Sequence, residues 1–211
     1  DIIKAYGLND PAYIQFFRWL QAVIFERNLG IDRYGQPVFQ ALVNRLPATV
    51  ELVMYSTPVI LYVGIKLGTL SAIHKNKAID HASRILSIMG TSLPSFWLGI
   101  VLLSVFYAGL HWFEPGRWSS QVNSFVMSQG TGWHWYTGLI TIDGLLNGQL
   151  WIFIDGLKHL VLPVTVLILL DTALITRVMR STMLESLSKD YVTAAKAKGL
   201  TPKQVYYKHA R

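Results

Sequence analysis

The chain has 211 residues, of which 52% are hydrophobic and only 15% charged, below the roughly 25% charged fraction of soluble domains. Its 19 Lys and Arg outnumber 12 Asp and Glu, but the surplus is concentrated beside apolar runs and not on a basic face with aromatic readers, which favours membrane lipid and excludes nucleic acid as partner. There is no cysteine, which excludes disulfides and thiolate metal sites.

In chain order, residues 1–47 are read as an extracytoplasmic N-terminal segment. Asn9, Asp10 and Pro11 precede apolar Ile14, Phe17, Leu20 and Ile24, a pattern that predicts a capped amphipathic helix lying in the membrane interface. A first span is expected over about 48–73, with Glu51 interfacial near one end, Pro58 inside, and Lys66 snorkelling toward the basic stretch 74–84. Between Arg84 and Glu114 there is no charged side chain, more than the roughly 20 residues a helical crossing needs. This predicts one span over about 85–112, kinked or closely packed at Gly90, Pro94, Gly99 and Gly109. Segment 113–158 is expected to be an extracytoplasmic loop. Five of the seven tryptophans, Trp112, Trp118, Trp133, Trp135 and Trp151, fall in or beside it, as for a region lying against lipid headgroups. A third span over about 159–180 is short, is interrupted by Asp171, and is expected to continue as helix through Arg177 and Arg180 into water. The fold class is therefore an all-α, polytopic helical membrane protein, with a transmembrane domain over 48–188.

Charge sets the orientation. Segment 74–84 carries Lys75, Lys77 and Arg84 against Asp80, and beyond Thr176 there are 8 basic and 2 acidic residues, so both are placed in the cytoplasm by the positive-inside rule. The tail 189–211 then holds a small-residue helix containing Ala194, Ala195 and Ala197, stopped by Gly199, with Thr201 and Pro202 opening a second helix. A helix, turn and helix with methyl-sized side chains at a membrane face is a docking surface. The chain starts at Asp1 without Met and stops at Arg211 inside that second helix, which predicts a fragment.

Catalytic chemistry finds no support. There is no G-x-x-x-x-G-K-[ST] phosphate cradle, Ser92 and Ser95 lack a nucleophile elbow, and His74 with His81 has no ligand cluster. Asp171 within an apolar run is a candidate for a translocation path; pairing with Lys66 or with an arginine of a partner subunit is the other reading. Pro94 is a candidate path or packing kink. An ion-coupled secondary transporter using Asp171 is the alternative function.

Four stretches in order carry a family resemblance: 45–52 (RLPATVEL), 92–99 (SLPSFWLG), 159–163 (HLVLP), and Asp190, Tyr191 and Val192 with Ala195, Ala197, Lys198, Gly199 and Leu200. The last resembles the cytoplasmic "EAA" loop of ABC importer permeases of the dipeptide, oligopeptide or nickel type, with Thr193 where that motif has glutamate. The resemblance implies a permease subunit in a bacterial or archaeal plasma membrane, paired with a second permease, two cytoplasmic ATPase subunits and an extracytoplasmic substrate-binding protein. ATP and Mg would be used by the ATPase and no cofactor bound by this chain. Tyr191, Ala194, Ala195, Ala197, Gly199 and Leu200 would be the ATPase-coupling residues.

Overall fold

The computed structural model describes residues 10–201 and 204–206, the side chain of Lys196 excepted. They are helical with short connections. The helices are α1 (Ala12–Phe25), α2 (Val38–Ile73), α3 (Ala78–Ser92), α4 (Ser95–Leu103, continuing as a π-helical turn over Ser104–Gly109), α5 (Ser120–Met127), α6 (Ile140–Leu146), α7 (Leu150–Leu187) and α8 (Asp190–Ala197). The chain divides into two compact units, Asp1–Thr49 and Val50–Arg211.

In the first unit, Pro11 is the N-cap of α1, but no side chain caps the helix. Asp10 acts instead through an ion pair with Arg18 at 2.8 Å, and its carbonyl accepts the Gln15 side-chain amide. Asn9 lies outside the described residues. Helix α1 buries none of its side chains, and Phe17 and Ile24 are well exposed. A turn follows in which the Asp32 carboxylate accepts the amides of Tyr34 and Gln36 at 2.8 and 2.9 Å, an Asx-type closure that leads into α2.

In the second unit the long helices meet through glycine. A Cβ placed on Gly64 would lie 2.6 Å from Ile175 Cγ2, one on Gly68 2.8 Å from the Thr176 carbonyl, and one on Gly90 2.6 Å from Ala173 Cβ. Without a Cβ, α2 and α3 can both seat their backbones on α7, which is how helices associate where lipid removes the hydrophobic drive between them. Gly64 and Gly68 are spaced as G-x-x-x-G, a signal in the sequence that the hydropathy pattern does not show.

Two helices, α2 and α7, are long and apolar enough to cross a membrane, and α3 with α4 makes a third if the pair is one broken span. The expected single kinked span over 85–112 is corrected: α3 and α4 meet at 94°. Pro94 has no N–H to continue the helix and pushes Leu93 into the extended region, ψ 129°. Helix α3 also starts at Ala78, so Asp80, His81 and Arg84 are helical and only residues 74–77 connect it to α2. The short third span is corrected too. Helix α7 runs 38 residues, about 57 Å at 1.5 Å per residue, because Asp155 and Lys158 end an apolar run without ending a helix. Through Arg177 and Arg180 it remains helical, as expected.

Segment 113–158 folds instead of looping freely. Val122, Val126, Ile140 and Ile152 form a buried cluster, and Trp118, Phe125 and Trp133 pack on it. Two of the five tryptophans thus serve a core, while Trp112, Trp135 and Trp151 remain exposed.

Replacing Gly68 with Val should drive α2 off α7 and cost about 1–3 kcal/mol by overpacking, lowering the melting temperature in detergent. Gly99→Ala, at a position with nothing within 4 Å of its Cβ, should melt like the wild type.

Candidate functional site

Helix α8 follows α7 after a two-residue break, and its end is built from the sequence signals around Gly199. Gly199 has φ +81°, the left-handed region that favours glycine. The Leu200 amide donates to the Ala195 carbonyl at 3.4 Å, and Leu200 packs against the cluster containing Ala195, the bond and contact of a Schellman motif. Thr201 then caps the next turn reciprocally. Its hydroxyl accepts the Gln204 amide at 3.4 Å, and its own amide donates to Gln204 Oε1 at 2.9 Å, a capping box. Pro202 and Lys203 lie outside the described residues.

The six expected coupling residues separate into two faces. Tyr191 (51% exposed), Ala194, Ala197 and Gly199 point outward. Ala195 does not: it is 5% exposed and buried with Val192 and Val205, with Leu187 and Leu200 against them. This corrects the expectation that Ala195 offers its methyl to a partner. Ala194, one residue earlier, is exposed, so the two alanines differ in burial. Leu200 is half-buried and belongs to the same inner layer.

Leu187 joins that layer to a second cluster, in which Ala72 of α2 and Met183 of α7 are buried with Tyr206 against them. One turn beyond lies a buried polar clamp that the sequence reading missed. Asp80 is fully buried. Its Oδ1 accepts the Ser71 hydroxyl at 2.6 Å and Arg180 Nε at 2.6 Å; its Oδ2 accepts Arg180 Nη2 at 3.0 Å and the Asn76 amide at 2.9 Å. Helices α2, α3 and α7 and the turn between the first two therefore share one carboxylate. Ser71 and Asn76 lie within nine residues of Asp80, but Arg180 comes from 100 residues away, and nothing in the local sequence marks that partner.

Glu51 forms a second such clamp toward the other end of α2, and its interfacial reading is corrected. It is 1% exposed; Oε1 accepts the Thr141 amide and hydroxyl at 2.9 and 2.6 Å, and Oε2 accepts Arg117 Nη2 at 3.2 Å. The start of α6 is thereby tied to α2. Asp171 lies on the exposed side of α7 and makes no ion pair or hydrogen bond among the described residues. Lys66 is not beside it: Lys66 Nζ donates to Tyr62 Oη at 2.6 Å and lies 4.5 Å from the same ring. Pro94 stands at the 94° break.

Apolar helices of spanning length, glycine seams and buried carboxylate clamps define a multi-pass α-helical membrane protein whose last described helix, α8, is closed by a glycine turn. The family described as "Binding-protein-dependent transport system inner membrane component" matches residues 64–211, and the chain belongs to that family. It is similar, with 37% identity over 201 residues covering 95% of this chain and 57% of the relative, to the probable D,D-dipeptide transport system permease protein DdpB of Escherichia coli K12. It is 36% identical over 208 residues, 98% of this chain and 58% of the relative, to the oligopeptide transport system permease protein AppB of Bacillus subtilis. Against the dipeptide transport system permease protein DppB of Escherichia coli K12 it is 34% identical over 210 residues, covering 99% and 60%. The chain thus spans somewhat under two thirds of the length of these curated relatives. Family membership overturns the ion-coupled alternative built on Asp171.

Asp80→Asn should destabilise the full-length protein by about 3–5 kcal/mol, because it leaves Arg180 partly buried without its counter-charge. Asp80→Leu combined with Arg180→Met should recover part of the loss, read as detergent melting temperature. Glu51→Gln should cost about 1–3 kcal/mol and expose segment 113–150 to protease before the rest of the chain.

Proposed function

We propose that this chain is part of the permease subunit of an ATP-driven importer of peptides in the plasma membrane, and that α8 with its following turn is where the ATPase docks. The single observation that carries this reading is the exposed small-residue face of α8, Ala194 and Ala197 beside Tyr191 and ended by Gly199 at φ +81°, within the part of the chain that matches the family. The names of the relatives, dipeptide and oligopeptide permeases, support peptides over nickel chelates as cargo. A second permease, two ATPase subunits that use ATP and Mg, and an extracytoplasmic binding protein complete the proposed importer.

Force from the ATPase enters at α8. The inner layer of α8 packs on Leu187, Leu187 on the Ala72 and Met183 cluster, and Asp80 ties α2, α3 and α7 together. A tilt of α8 is therefore passed to the long helices as a rigid-body movement, a two-state element biased by a remote ligand. Ala195 belongs to this transmission and not to the docking contact. With α8 cytoplasmic, segment 113–158 faces the binding protein.

Full-length variants test this. Ala194→Glu should keep normal subunit levels while losing co-purification of the ATPase and dipeptide uptake together. Gly199→Val, strained by about 1–2 kcal/mol in a left-handed position, should insert normally but fail in uptake. Lys198→Ala should transport as the wild type does. Wild-type uptake by both of the first two variants would overturn the docking assignment.

A further inference from the structure

A cleft of about 370 Å³ opens between α3 and α7, lined by Ser83, Arg84, Ser87, Arg177, Arg180 and Ser181 among others. Three arginines meet there against one carboxylate, Asp80, which lies 3.9 Å from Arg84 and pairs with Arg180, so these four side chains carry a surplus of two positive charges. The pairing is incomplete. Arg180 spends Nε and Nη2 on Asp80, and Arg177 uses Nη2 on Thr91 and the Ser87 carbonyl, so Nη1 of both is without a partner among the described residues.

A second, independent observation points to a ligand. Ser83 and Ser87 are each only 5% exposed, yet neither hydroxyl makes a hydrogen bond among the described residues, and neither is sealed off from the cavity. Buried hydroxyls are ordinarily satisfied. Two open ones beside two open guanidinium arms make a donor set for an oxyanion, and arginine forks suit phosphate in particular. Apolar surface lies beside it: Ile88 lines the cleft and is more than half exposed, as are Leu174 and Val178, three residues before and one after Arg177 on α7. The charge pattern puts this end of α7 at the cytoplasmic face, where anionic headgroups lie.

We propose that this cleft is a binding site for an anionic phospholipid of the cytoplasmic leaflet, its phosphate held by Arg177, Arg180, Ser83 and Ser87 and its acyl chains lying along Ile88 and Leu174. A free phosphate shares the headgroup chemistry but has no use for the apolar surface beside it, so the lipid is the occupant. The site does not depend on the peptide-import reading, and its readout is lipid and not transport.

The test uses the full-length permease in nanodiscs of phosphatidylcholine containing a minor fraction of phosphatidylglycerol, with retained lipid measured by mass spectrometry. The wild type should enrich phosphatidylglycerol, and millimolar inorganic phosphate should not displace it. Arg177→Gln should lower the enrichment about fivefold, the worth of one basic residue near an anionic surface. Ser83→Ala with Ser87→Ala, which leaves every ion pair intact, should lower it by a similar factor of about five. Unchanged enrichment in the serine pair overturns the proposal even if Arg177→Gln fails to fold. Displacement by inorganic phosphate overturns the lipid assignment in favour of a soluble anion.

Discussion

A carboxylate with no access to solvent has to be satisfied by the protein, and at Asp80 that requirement organises the end of the structure where α2, α3 and α7 meet. Four hydrogen bonds, two from Arg180 and one each from Ser71 and the Asn76 amide, reach its two oxygens. Removing any contributor leaves charge or a strong acceptor buried, which is far more costly than the net worth of the bonds themselves. The end of α2, the start of α3 and the last third of α7 are consequently held at fixed mutual distances. Their joint behaviour as one body follows from that constraint and not from hydrophobic packing, because lipid chains solvate leucine as well as another helix does.

Close approach makes the clamp geometrically feasible. Gly64, Gly68 and Gly90 bring backbones to within distances that any Cβ would violate, so that the short side chain of Ser71 on α2 reaches Asp80 on α3, and Asp80 reaches Arg180 on α7. A leucine at those three positions would separate the axes by more than an aspartate can span, and Arg180 would be left facing lipid. The polar clamp and the glycine seam are thus one device, specified by residues on three helices that are adjacent only after folding.

How much of this could be read in advance depended on whether the signal was local. Gly199, Thr201 and Gln204 act within six residues of one another, and the helix stop and the capping box both stand where their residue types put them. The G-x-x-x-G at Gly64 and Gly68 is local too and was available to a reading attentive to small residues. Charge was the less faithful guide. It placed a span end at His159, because Asp155 and Lys158 resist lipid, yet lipid and backbone make different demands and α7 continues through both. It placed Glu51 at the interface by the cost of burying a carboxylate alone, whereas Thr141 and Arg117, 90 and 66 residues away, remove that cost. The 94° turn at Pro94 was legible as a break but not as an angle, since the proline fixes that the hydrogen-bond ladder stops and the packing fixes where the chain goes next.

If α8 is the docking helix proposed above, the burial of Ala195 makes it double-sided. A docking helix that offered all its small residues to a partner would have nothing to grip its own chain, and a push on it would be absorbed by local bending. With Val192 and Ala195 inward against Leu187 and Val205 and Ala194 and Ala197 outward, the same short helix could serve the proposed docking as a lever gripped by its own chain. Leu187 is shared by that layer and by the Ala72 and Met183 cluster, and Arg180, two turns earlier on α7, holds Asp80. Between the outer face of α8 and the buried carboxylate lie the layer around Leu187, the Ala72 and Met183 cluster, and Arg180 three residues before Met183 on α7. The arginine-lined cleft opens on this same stretch of α7, so an anion seated there would draw on the guanidinium that closes the clamp, and the lipid leaflet would act on the element that the proposed ATPase moves.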